Sequence, residues 1–111
     1  MLAADDVLLK EMVTVIVREV NPETIILFGS RARGDARQDS DFDLLVVESA
    51  AFSPSRSRRA ETARLYLALR GLDASKDIIL YSREEFDARK DSLNHVVGRA
   101  CREGRILHER H

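Results

Sequence analysis

The chain contains no tryptophan, and aromatic residues make up only 5% of its 111 positions. So few rings leave little capacity to stack the bases of a nucleic-acid single strand. There is one cysteine, Cys101, so no internal disulfide is expected and a reducing cytoplasm is the simpler setting. No base stands beside it in sequence, and it reads as a half-buried structural thiol rather than a nucleophile. Neither sign of charge is in excess: 18 Lys and Arg against 19 Asp and Glu give a net charge of −1. Bulk electrostatics therefore give no case for a nucleic-acid partner, although a local basic patch is compatible with that sum. No apolar run approaches the roughly 20 residues that a membrane span needs. The opening Met1-Leu2-Ala3-Ala4-Asp5-Asp6 is acidic where a secretory leader is basic.

What is present is a globular composition, 44% hydrophobic and 33% charged. The length fits one domain, residues 1–111, with a single core and no room for a large second module. Fifteen of the 18 basic residues are Arg, the side chain suited to bidentate pairing with carboxylates or phosphates.

Apolar residues at helical spacing from Val7 to Val20 predict a helix over about Asp5 to Val20, ended by Asn21-Pro22. Thr24 to Phe28 is a short, β-branched apolar run and predicts a buried strand stopped by Gly29. Ser30 to Ser40 is polar and Arg-rich, a loop with room for one helical turn. Phe42 to Val47 predicts a second strand. Pro54 is expected in the first turn of the next helix with Ser53 as its cap. That helix runs to about Arg70, with Ala60, Ala63, Leu67 and Arg70 on one face and Leu65 and Leu69 beside it. Lys76 to Tyr81 predicts a third strand, and Ser82 with Glu85 a capping box opening another helix. A last helix is expected from about Ser92 to Gly104, and Arg105 to His108 as a short final strand. Strands alternating with helices predict an α/β domain, a small mixed sheet packed by helices.

The chemistry lies in Leu27-Phe28-Gly29-Ser30 and in Ser40-Asp41-Phe42-Asp43-Leu44. Residues two apart on a strand share a face, about 6.6–7 Å from each other. Asp41 and Asp43 can therefore point together while Phe42 enters the core. Carboxylates suit Mg²⁺, and two such ions about 3.5–4 Å apart organise an in-line attack on phosphorus. The same acids also fit a solvated turn at the head of a strand. Gly29-Ser30 favours the first reading: Gly lets a phosphate approach the backbone, and Ser30 adds a hydroxyl and an N–H. Arg31 and Arg33 are candidates to neutralise phosphate charge, or are simply solvated. Asp77 opens the third strand as another acid heading an apolar run, a candidate third metal ligand or base.

Gly29-Ser30, ten residues, then Asp41-Phe42-Asp43 resembles the GS-x10-D-x-D signature of the DNA polymerase β-like nucleotidyltransferase superfamily. The run Phe28-Gly29-Ser30-Arg31-Ala32-Arg33-Gly34 … Ser40-Asp41-Phe42-Asp43-Leu44 is similar to its minimal nucleotidyltransferase branch. The resemblance extends over nearly the whole chain, to a closing Gly104-Arg105-Ile106-Leu107. It implies that Gly29 and Ser30 hold an NTP such as ATP, and that Asp41 and Asp43 bind Mg²⁺. Asp77 falls where the family's third carboxylate lies, though no tight motif surrounds it. Members of this branch often pair with a HEPN-domain toxin, a helical RNase, as a type VII-like antitoxin that can adenylylate it. The resemblance thus implies transfer of AMP to a protein hydroxyl. Two other readings stay open: an antitoxin that neutralises its partner by binding alone, and a small-molecule nucleotidyltransferase.

Arg102 and His108 mimic the R-x4-6-H element of HEPN RNases, but Gly104 breaks the helix that element needs. His95 has only Asp91 near ligand spacing and reads as a packed or surface residue. Arg56, Arg58 and Arg59 form a basic cluster at a helix start that reads as a solvated face, with a phosphate-binding or acidic-partner surface as the alternative.

Overall fold

A computed structural model of the chain describes residues 4–37 and 39–110, without the side chains of Ala4 and Asp5. The leader reading of Met1–Ala3 lies outside the described residues. The elements are α1 (Ala4–Val20), β1 (Thr24–Phe28), α2 (Ser30–Arg33), β2 (Phe42–Glu48), α3 (Arg58–Leu69), β3 (Lys76–Ser82), α4 (Arg83–Arg89), α5 (Val96–Glu103) and β4 (Arg105–Glu109). The strands form one mixed sheet in the order β3-β2-β1-β4. β1 pairs antiparallel with β2 and β4, and β2 pairs parallel with β3. A parallel pair needs a long crossover, and α3 supplies it between β2 and β3.

The sheet is covered on both faces, which explains why Leu44 to Val47 of β2 reads as an unbroken apolar run. Phe42, Leu44 and Val46 of β2 and Ile78 and Leu80 of β3 join Leu9, Met12 and Ile16 of α1 and Leu65 and Leu69 of α3 in one cluster. Leu45 and Val47 face the other way, onto Phe86 of α4 and Val97 and Ala100 of α5. No described helix is long and apolar enough to cross a membrane.

Several ends follow from local chemistry. α1 stops at Val20 because Asn21 takes φ 44°, a left-handed conformation that Asn tolerates, before Pro22. The expected capping box at Ser82 and Glu85 forms in full. Three expectations are corrected. Pro54 does not start a helix: Ser53 and Arg56 exchange backbone bonds of 3.1 and 3.0 Å around a turn, where the fixed φ of Pro is favoured. Ser57 is the cap of α3 instead, accepting from the Ala60 N–H at 3.2 Å. On α3 the buried residues are Leu65 and Leu69, while Leu67 is 62% exposed, so the predicted face is turned. α5 begins at Val96 rather than near Ser92, with the His95 Nδ1 accepting from the Val97 N–H at 3.1 Å. The Ser92 carbonyl lies against Gly98 and accepts from the Arg102 Nη1 at 3.2 Å, so this segment packs across the helix and does not begin it.

The basic cluster at the start of α3 is more than a solvated face. Arg56 Nη2 lies 2.5 Å from Glu48 Oε1 and 3.3 Å from Glu61 Oε2, and Arg58 bonds Glu85 at 2.5 Å. Glu48 closes β2 and is buried. Burial, followed by a hydrogen bond and repulsion from Glu61, pushes its carboxyl up to about 7 despite Arg56. A raised folded-state pKa stabilises the fold below the unfolded value, and that contribution is lost as pH rises through the folded value. The melting temperature should therefore carry a downward component between pH 4.5 and about 7 that Glu48→Gln removes. Thermal melts across that window check this; an identical slope in the variant contradicts it.

Candidate active site

The register of β2 assembles the predicted residues. Phe28, the last residue of β1, stands opposite Asp43, so the turn at Gly29-Ser30 emerges beside that carboxylate. On the other side Asp43 is in register with Asp77 of β3. Partners in register point to the same face. Asp41, two residues before Asp43, lies just outside β2 and is exposed, as is Asp77. Phe42 between them is 2% exposed and sits in the core, as the alternation predicts.

The three acids influence one another. The Asp43 carboxyl is held above the usual aspartate range, first by partial burial, then by the charges of Asp77 and Asp41; Arg33 pulls it back. Three carboxylates gathered at one end of a sheet are a poor arrangement for stability alone. They are an all-oxygen donor set, the kind that a hard divalent cation prefers. In this respect the residues fit Mg²⁺. Among the described residues no three His, Cys, Asp or Glu side chains are already drawn together as a metal-ligand group.

Gly29 is held by two constraints at once. Its φ of 73° lies where L side chains rarely go, and a Cβ there would collide with the Asp43 carboxylate. The turn thus brings bare backbone against the acid. Ser30 begins α2, in which the Ala32 and Arg33 N–H groups both donate to the Gly29 carbonyl at 3.1 Å. Gly34 closes α2 at φ 84° with nothing within 4 Å of its Cβ position.

The two arginines differ. Arg31 Nε and Nη2 donate to the Ser40 carbonyl at 3.0 and 2.8 Å, and its guanidinium lies 3.9 Å above the Phe42 ring. It is therefore tied to the segment that carries Asp41, a positioning role that the sequence did not suggest. Arg33 pairs with Asp35 at 3.3 Å and Glu103 at 3.5 Å and is felt by Asp43.

Outside the signature, Tyr66 of α3 also reaches the site. Its hydroxyl accepts from the Ile78 N–H at 2.8 Å and lies 3.5 Å from Asp77 Oδ1. No sequence signal marks it, because the contact depends on how α3 crosses the edge strand. Cys101 is exposed, not half-buried as expected. Although the residue is exposed, partial desolvation of its sulfur and then the charge of Asp91 push the thiol up, so it has no activated thiolate. His95 caps α5 and meets the Tyr81 ring edge-on at 5.8 Å, the packed role expected of it.

A Gly-Ser turn delivered beside paired strand aspartates on a mixed, helix-packed sheet is the polymerase β-like nucleotidyltransferase fold. The chain belongs to the nucleotidyltransferase domain family, which matches residues 9–97. It is similar to a candidate minimal nucleotidyltransferase at 30% identity and TM-score 0.55, covering 87% of this chain and 86% of the other. A toxin–antitoxin structure with AMP-PNP matches the fold at 17% identity and TM-score 0.61, over 92% of this chain and 73% of that one. A mutant of the MntA–HpeT toxin–antitoxin matches at 16% and 0.59, with the same coverage. No curated protein matches the sequence.

Gly29→Ala and Gly34→Ala should separate the two constraints on Gly29. Gly34→Ala puts a side chain in the left-handed region, at about 1–2 kcal/mol. Gly29, at φ 73° and ψ −157°, lies in a region nearly confined to glycine and its Cβ also meets Asp43, so Gly29→Ala should lose distinctly more in thermal or denaturant unfolding, and part of that excess should vanish in an Asp43→Ala background. The same excess in both backgrounds would contradict the Asp43 contact.

Proposed function

We propose that this chain is a Mg²⁺-dependent nucleotidyltransferase that moves AMP from ATP to a protein hydroxyl on a HEPN-domain toxin, acting as a type VII-like antitoxin in the cytoplasm. The observation that carries the reading is the register Phe28–Asp43–Asp77, which lines up two carboxylates and brings one of them, Asp43, against the Gly29 turn. The fold it shares with toxin–antitoxin structures, one of them with AMP-PNP, supports the choice of nucleotide and of partner.

Asp41, Asp43 and Asp77 would hold Mg²⁺, which when bound neutralises charge on the triphosphate. The Ser30 N–H and hydroxyl bind phosphate oxygens, and Gly29 leaves room for them. Arg33 adds positive charge near Asp43, while Arg31 keeps the Asp41 segment in place through Ser40. The acceptor oxygen attacks the α-phosphorus in line. Its bond to phosphorus forms as the bond to the β-phosphate oxygen breaks, and pyrophosphate departs with the electron pair. The hydroxyl proton passes to a carboxylate, for which Asp77 is the candidate.

Incubating the chain with Mg²⁺, α-labelled ATP and a HEPN-domain partner, read by mass spectrometry, tests the reading. The partner should gain one or more AMP units, and Asp43→Asn should abolish the gain while still binding the partner. A tight complex with no gain would instead favour neutralisation by contact alone. Modification of a small molecule without any protein acceptor would move the assignment to that class.

A further inference from the structure

We infer that Asp35 and Glu103 compete with the nucleotide for Arg33, so that a triphosphate at the Gly29-Ser30 turn takes this guanidinium from two acids of the chain itself; this rests on the proposed nucleotidyltransferase reading. Arg33 stands three residues after Ser30 in the single turn of α2. Residues at that spacing are neighbours on a helix face, with Cβ atoms about 5–6 Å apart. The Ser30 hydroxyl and the Arg33 side chain therefore start from the same side of α2, and the charge of Arg33 acts on Asp43 beside the turn. The guanidinium is nevertheless engaged elsewhere. Its Nε lies 3.3 Å from Asp35 Oδ2 and its Nη1 3.5 Å from Glu103 Oε2.

Glu103 is the last residue of α5. A helix C-terminus carries partial negative charge, so its own helix disfavours an acid there, and Arg33 is the cation that offsets this. The next residue, Gly104, packs on β1: a Cβ there would lie 3.0 Å from the Leu27 carbonyl oxygen. That contact sets the end of α5 against the strand leading to Gly29, within reach of α2. Asp35 follows Gly34, whose left-handed φ of 84° ends α2. Both ion pairs are open to solvent, with side-chain exposures of 45% for Arg33, 62% for Asp35 and 42% for Glu103. Pairs of this kind are weak and screened by salt. A phosphate offers two oxygens to the planar guanidinium fork, a stronger and better-directed contact. The exchange therefore runs toward the nucleotide, and the affinity is lowered by what the two acids give up. It also detaches α2 from the end of α5.

The test is calorimetric binding of a non-hydrolysable ATP analogue with Mg²⁺ to the full chain, for wild type, Glu103→Gln, Arg33→Gln and the double variant. An exposed ion pair corresponds to a factor of roughly 1.5 to 5 in an equilibrium. Glu103→Gln should tighten nucleotide binding by that factor, and Arg33→Gln should weaken it. In the Arg33→Gln background Glu103→Gln should recover little of its gain. Weaker binding by Glu103→Gln would mean that the acid holds Arg33 ready for phosphate, and would overturn the inference. Unchanged affinity would overturn it too, as would an equal gain in both backgrounds, the mark of bulk charge alone. Wild type that binds no nucleotide would overturn the nucleotidyltransferase reading itself. NMR of the unaltered chain gives a readout independent of any variant: the nucleotide should shift both the Arg33 Nε–H signal and the Glu103 carboxyl carbon. An unmoved Glu103 signal with nucleotide bound would overturn the inference.

Discussion

Asp43 is fixed from both sides by backbone pairing, and the rest of the site depends on that. Its antiparallel partner Phe28 is the residue before the Gly29 turn, and its parallel partner is Asp77. A slip of one residue in either ladder would turn the acid into the core and Phe42 out of it. The apolar faces prevent such a slip. Phe42, Leu44 and Val46 are committed to α1 and α3, and Leu45 and Val47 to α4 and α5, so the hydrophobic effect that builds the core also sets the position of the carboxylate. The close approach of Gly29 then converts register into contact.

The site works against the stability of the fold, and the surroundings show how this is contained. Asp43 carries a raised pKa from burial and from its two acidic neighbours. Arg31 clasps the preceding segment by two bonds to one carbonyl and a ring contact. At the far end of β2 a second acidic group, Glu48 with Glu61, is bridged by Arg56 rather than left open. The two ends of the strand therefore resolve crowded carboxylates differently. One carries a resident guanidinium, and the other has oxygen ligands suited to a divalent cation and a triphosphate.

Much of this was legible in the sequence because it is written in short periods. Strands β1 and β2 follow from continuous apolar runs and the alternation Asp41-Phe42-Asp43 from two-residue periodicity, and the turn lies beside the acids because β1 and β2 are neighbours. The capping box at Ser82 and Glu85 is a four-residue pattern and was equally readable. What escaped depends on contacts distant in sequence or on competition between near-equal local choices. Ser53 and Ser57 are both good caps, and Pro54 fits a turn as well as a helix start. The α3 face was misread because the helix offers two adjacent stripes, and packing against α1 and β3 selects Leu65 and Leu69, one turn apart, and leaves Leu67 out. Arg31 on Ser40, Arg56 between two glutamates and Tyr66 on the edge of β3 are tertiary facts with no local pattern.

The most direct measurement is a crystal structure of the chain with Mn²⁺ and a non-hydrolysable ATP analogue, with the metal located by its anomalous signal. The account predicts metal density against Asp41, Asp43 and Asp77 and a triphosphate lying over Gly29 and Ser30. Metal bound elsewhere, or a nucleotide that avoids the Gly29 turn, would contradict it.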